Sequence, residues 1–262
     1  MTAASVGQVP PTSARRPRAL LWTSLALFGV FALLAAGVLA APESPWTQAL
    51  DDAWRGLLGV GPDSVLPGSV VALLFQNLGA LPGFALMMLL LPLGLVAAGR
   101  WRSALFVIAV QLAGPGLLSQ LTKNLVDRPR PAADEAAGLF GPLVMVDHGS
   151  FPSGHAVSTA TVIVTVLALI PASAVWARRV WLVLSVLLAA GIVWQRTLIN
   201  AHWFSDTVAG LIGGIAISLL LWWAFEPWLR RDRAHRPRWS RARLSGALGD
   251  PGPTRRVPSR QS

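Results

Sequence analysis

Apolar residues fall in long runs along this chain, separated by short polar stretches. The runs cover 19–41, 69–98, 101–122, 151–170, 180–195 and 203–223. A helix needs about 20 mainly apolar residues to cross a hydrocarbon core of about 30 Å. In lipid the main chain must satisfy its own polar groups, so such runs predict helices. The pattern therefore predicts an all-α, polytopic membrane protein with six transmembrane helices in a bundle. The second run holds Pro82 and Pro92, which predicts a short helix followed by a span, or one bent span. Gly114-Pro115-Gly116 interrupts the third near its end. The first follows Arg15, Arg16 and Arg18, and Val38-Leu39-Ala40 has the form of a small-residue cleavage site. A secretory apolar region is shorter, about 7–15 residues, so this run is read as a retained span.

Composition agrees: 53% of residues are hydrophobic and only 13% charged, about half the charge of an ordinary soluble domain. The chain has no cysteine, which excludes disulfides, thiolate metal sites and thiol nucleophiles. A net charge of +10 raises the question of nucleic acid. The placement of that charge answers it. With a cytoplasmic N-terminus, the inner side holds Arg15, Arg16, Arg18, Arg100, Arg102, Arg178, Arg179 and every arginine from Arg230 onward. The outer side holds only Arg55, Lys123, Arg128, Arg130 and Arg196. This is the positive-inside bias of a plasma-membrane protein, with both termini cytoplasmic and no nucleic-acid partner. Residues 1–18 form a cytoplasmic tail, 19–225 the membrane domain, and 226–262 a basic tail expected to be disordered, solvated or resting on anionic headgroups.

Three polar clusters remain, all on the outer side, where ionisable groups at an apolar boundary are costly and usually functional. The first is KNLVDRPRP, ending the third run; Lys123 is the only lysine in the chain. The second is SFPSGHA, in which Pro152 suits the first turn of a helix and Ser153-Gly154 leave main-chain amides open as an anion seat. His155 follows within reach of a bound anion. The third is QRTLINAHWFSD, where His202 and Asp206 are four apart and share a helix face. Asp206 can accept the Nδ1 proton of His202 and leave Nε2 free as nucleophile or base. Lys123, Arg130 and Arg196, meeting two histidines and a helix N-terminus, form a phosphate-binding set. Snorkelling cations explain the inner face well but these outer ones poorly. The 42–67 segment, with Glu43, Asp51, Asp52 and Asp63, predicts a short helix near 46–58 and carries no chemical motif.

Taken together, these clusters resemble the signature of the type 2 phosphatidic acid phosphatase (PAP2) superfamily, the integral-membrane lipid phosphate phosphatases. Lys123 and Arg130-Pro131 match its first motif, with six residues between; Arg128-Pro129 has the wrong spacing, and Arg128→Lys is expected to be tolerated. Pro152-Ser153-Gly154-His155 match the second, and Arg196, His202 and Asp206 the third. Gln195 stands where that motif has serine. The resemblance implies that His202 attacks phosphorus, that Asp206 orients it, and that His155 protonates the leaving oxygen and then helps to activate water. It implies that Lys123, Arg130, Arg196, the Ser153 side chain and the Gly154 amide hold the phosphoryl oxygens. It implies no metal and no cofactor.

The expected function is hydrolysis of a lipid phosphate or diphosphate at the extracytoplasmic membrane face. Candidates are phosphatidic acid, phosphatidylglycerol phosphate and undecaprenyl diphosphate, and the arginine-rich composition favours a bacterial source. One alternative is a phosphoryl or headgroup transferase. The other is a non-catalytic lipid-phosphate transporter, which would place its charge nearer the bilayer midplane.

Overall fold

The computed structural model describes residues 16–234, Asp147 excepted; the expectations for the N-terminal tail up to residue 15 and for the basic tail from residue 235 fall outside these. The described residues are helical apart from turns and one isolated bridge, Asp134–Leu139. Helix α1 spans Arg18–Ala40 and α2 spans Gln48–Leu58. Next come α3 (Val70–Gly79), α4 (Leu81–Ala85) and α5 (Leu91–Ala97), with a wider π turn at Leu86–Leu90. Helix α6 (Trp101–Gln111) runs through a second π segment, Leu112–Leu118, into α7 (Ser119–Val126). The chain ends with α8 (Gly154–Leu169), α9 (Val175–Leu198) and α10 (Phe204–Ala234).

Each apolar run becomes helical, but they do not span alike. Among the described residues, four helices are long and apolar enough to cross a membrane: α1, the α6–α7 unit, α9 and α10. The second run folds as a pair bent by 50° between Gly79 and Leu81, a broken span or a re-entrant loop. Ala80 has extended geometry, and Pro82 begins the next helix. The fourth run yields only the 16 residues of α8. By length the count is therefore four, or five with the bent pair, where the apolar runs predict six. Within the α6–α7 unit, Pro115 lacks the amide that a regular helix needs, and the π segment absorbs the defect.

Helix α10 packs against α1, α6 and α8, while α3 and α9 close the far side of α8. Phe31, Val38, Val126, Phe151 and Ala209 form a core cluster that joins α1 to the C-terminal end of α7 and the N-terminal end of α10. Ser24 Oγ donates to the Ala216 carbonyl at 2.7 Å. The first run is thus an integral packing element. Helices α8 and α10 approach closely because α10 offers a glycine at the contact: a Cβ on Gly210 would lie 2.6 Å from the Ser153 carbonyl oxygen. Membrane helices use small residues in this way to bring backbones together. Large apolar side chains such as Leu33, Leu89 and Val186 face outward, a surface suited to lipid tails.

Helix α10 does not stop at residue 225. It continues to Ala234, buries Leu229, and ends with Asp232 accepting from Ser103 N–H at 2.7 Å and pairing with Arg102 at 3.2 Å. Residues 226–234 are thus packed helix, which corrects the expected start of the disordered tail. The physical reason is that Glu226 pairs with Arg230 and Arg233, and Asp232 with Arg102.

Candidate active site

Lys123 sits in the last turn of α7, buried. The helix ends because Asp127 adopts a left-handed conformation, φ 40°, with its N–H returned to the Lys123 carbonyl at 2.9 Å. That turn carries 128–131 back across the site, where Ser150 N–H meets the Arg128 carbonyl at 2.7 Å. Helix α8 starts at Gly154, and its N-cap Ser153 donates N–H to the Asp206 carbonyl at 3.0 Å. The start of α8 is thereby fixed to the first turn of α10.

His202 lies in the α9–α10 connection, buried, with Nδ1 2.8 Å from the Ser150 carbonyl. A carbonyl only accepts, so Nδ1 carries the proton and Nε2 the lone pair. Nε2 lies 3.3 Å from Arg130 Nη1. Asp206 Oδ2 is 3.8 Å from Nδ1, outside hydrogen-bond reach. The main-chain oxygen of Ser150, rather than the carboxylate, takes the proton; this corrects the pairing read from the four-residue spacing. Asp206 instead stands directly behind the ring, its Oδ2 accepting from Trp203 N–H at 3.0 Å and from the Ser150 hydroxyl. Burial pushes the His202 pKa down to about 4, against the pull of Asp206, with Arg196 and Arg130 adding to the depression. The imidazole is neutral at physiological pH.

His155, in the first turn of α8, contacts the main chain of Gln76, and its Nε2 is buried with no hydrogen-bond partner among the described residues. Its ring rests on the break between α3 and α4: a Cβ on Gly79 would lie 2.2 Å from His155 Cδ2, so only glycine fits there. Arg196 Nη1 donates to Gln76 Oε1 at 2.6 Å, and Gln195 Nε2 donates to the same oxygen at 2.9 Å. The residue standing in place of serine thus shares the Gln76 oxygen with Arg196. Arg130 also donates to the carbonyls of Ala201 at 2.5 Å and Gly149 at 3.2 Å.

One cavity of about 560 Å³ is lined by Lys123, Arg130, Gly154, His155, Arg196 and His202, and elsewhere by Leu81, Phe84 and Pro115. It joins a cationic end with two histidines to an apolar end. Ser153 and Asp206 do not line it; the Ser153 hydroxyl is buried with no partner among the described residues. Among the described residues, no group of three or more His, Cys, Asp or Glu side chains is arranged to hold a metal ion.

A sequence model of the PAP2 superfamily matches residues 102–230, from α6 through most of α10. The chain belongs to the PAP2 superfamily. A solved structure described as the first transmembrane PAP2-type phosphatidylglycerolphosphate phosphatase from Bacillus subtilis is similar in fold, with a TM-score of 0.61 and 21% identity. The match covers 82% of this chain and 100% of that one. No curated protein matches the chain.

Two residues of this PAP2 protein enter the site unannounced by the motifs. Arg128 is fully buried, with Nη1 2.7 Å from Asp206 Oδ1 and Nη2 2.9 Å from Asp51 Oδ2. An arginine bridging two buried carboxylates is not interchangeable with lysine, which corrects the expectation that Arg128→Lys is tolerated. Asp51, on α2, binds Ser205 N–H at 2.7 Å, so the 42–67 segment does contribute to the site. Spacing could not reveal either residue. The available signal was Arg128 itself, one of few cations on a face that otherwise lacks them.

Proposed function

We propose that this protein is a membrane phosphatase that hydrolyses a lipid phosphate or diphosphate through a phosphohistidine on His202, at the extracytoplasmic face. The observation carrying this reading is the cavity, where the His202 lone pair and the buried His155 Nε2 share a cationic end that continues into an apolar one. A phosphoryl group fits the first end and the start of a lipid tail the second.

In the first step the His202 Nε2 lone pair attacks phosphorus, and the bond to the leaving oxygen breaks as that oxygen takes a proton from His155. In the second, water attacks phosphorus, His155 takes the water proton, and the P–N bond breaks to release phosphate. His155 is then protonated for the next cycle. The Ser150 carbonyl and the Asp206 charge stabilise the His202 ring while it bears positive charge. Lys123, Arg130, Arg196 and the Gly154 amide hold the phosphoryl oxygens, with Ser153 at the helix start behind them. Three fixed cations supply the charge neutralisation, so turnover is independent of added metal.

Phosphatidic acid, phosphatidylglycerol phosphate and undecaprenyl diphosphate are the substrate classes to compare. The test is phosphate release by the detergent-purified protein in EDTA. At least one of these lipids should be hydrolysed, and His202→Ala and His155→Ala should each lose the activity. Undiminished release by His202→Ala would overturn the mechanism; transfer of phosphate to an alcohol in place of water would make the protein a transferase.

A further inference from the structure

Asp206 does not stand alone behind His202. Its Oδ1 accepts from Arg128 Nη1 at 2.7 Å, and Arg128 Nη2 donates to Asp51 Oδ2 and to Gln48 Oε1, each at 2.9 Å. Ser205 knits the group together: its N–H donates to Asp51 Oδ1 and its hydroxyl to Asp51 Oδ2, both at 2.7 Å, while Arg128 Nη1 reaches Ser205 Oγ at 2.8 Å. The side chains of Asp51, Arg128 and Asp206 are all inaccessible to solvent. Trp203 covers the guanidinium, 5.2 Å from its carbon, and fixes its own indole on the Pro129 carbonyl at 2.9 Å.

Removing one member of a buried ion pair strands the other at high cost. Arg128 therefore needs both carboxylates, and without Asp51 its full charge would bear on Asp206 alone. The two oxygens of Asp206 are then oriented from opposite sides, by Arg128 on one and by Trp203 N–H and Ser150 on the other. Helix α2 lies outside the matched 102–230 segment, yet it delivers the distal anchor.

We infer that Asp51 and Arg128 are positioning residues for the nucleophile, making α2 part of the catalytic apparatus rather than a connecting segment. They touch neither substrate nor the reacting atoms; they hold Asp206, which sets the charge and place of His202. This rests on the proposed role of His202.

The consequence is a separation between ground-state and transition-state binding. In the proposed mechanism Lys123, Arg130 and Arg196 hold the phosphoryl group, whereas Asp51 bonds Thr47, Arg128 and Ser205. Loss of Asp51 should therefore lower kcat and leave KM alone. The experiment uses Asp51→Asn, which keeps the shape, and Arg128→Lys, which keeps the charge, in the full-length protein, with thermal unfolding followed in detergent. Turnover of a hydrolysed lipid phosphate is measured together with the affinities for orthovanadate, which forms a five-coordinate adduct at a nucleophilic nitrogen, and for inorganic phosphate. We expect kcat to fall about tenfold or more in each variant with KM within about twofold. Orthovanadate binding should weaken about tenfold, with phosphate binding changed less than about twofold.

A purely structural tether would lower the unfolding temperature and leave kcat and the vanadate-to-phosphate ratio unchanged; that result overturns the inference. Should Asp51→Asn fail to fold, Arg128→Lys reads the same contact. Should the wild type release no phosphate, the phosphatase reading fails, and the vanadate-to-phosphate ratio still decides the positioning role. A wild type that binds neither anion overturns both.

Discussion

Lys123 is the only lysine among 22 basic residues, and it is buried against the cavity that holds both histidines. An ammonium is a compact point charge, whereas guanidinium is a wide planar fork that demands more room. In this seat Lys123→Arg, mild at most positions of so arginine-rich a chain, should lower kcat/KM roughly tenfold, about 1.4 kcal/mol of transition-state stabilisation. Steady-state kinetics on the detergent-purified variant checks this, and wild-type kcat/KM would remove Lys123 from the phosphate seat. At this scale spacing was a good guide to which side chains converge, since Lys123, Arg130, His155, Arg196 and His202 all line one cavity. It was a poor guide to who bonds whom. His202 lies just before α10, off the helix that carries Asp206, and a main-chain oxygen at 2.8 Å accepts its Nδ1 hydrogen bond. Hydrogen bonds to the main chain leave no trace in a side-chain pattern.

Helix existence followed from the apolar runs because lipid leaves the backbone no other partner. Helix ends and breaks followed less well. The second run was legible as interrupted through its prolines, but not its 50° bend at Gly79–Leu81 or the close seat of His155 against Gly79. Helix α2 misled for a different reason. In a soluble protein its Asp51 and Arg55 would face water and its leucines the core. Here Leu57 is 80% exposed and Asp51 only 1%. The apolar face turns outward and the charged face turns in, so Asp51 reaches Arg128 while Arg55 donates to the carbonyls of Ala132 at 2.5 Å and Phe140 at 2.8 Å. The sequence shows the short helix near 46–58 but not its partners; only its neighbours show which face is inside.

Over the whole molecule, charge asymmetry predicts the orientation, with the proposed site at the end of the bundle opposite the basic loops. A chain without cysteine allows this sidedness to be tested cleanly. In intact cells Phe140→Cys should label with an impermeant maleimide and Arg100→Cys should not; the reverse pattern would invert the topology and place the cavity in the cytoplasm. Covalent transfer of the phosphoryl group to the protein before water is the step on which the proposed mechanism turns. It is tested most directly by mixing the protein with lipid phosphate labelled in the phosphoryl group and quenching within a turnover in alkaline detergent. A phosphoramidate withstands base and falls apart in acid. The wild type should carry acid-labile label that maps to His202, and His202→Ala should carry none and release none. Steady phosphate release by the wild type with no bound label, or unchanged release by His202→Ala, would contradict it.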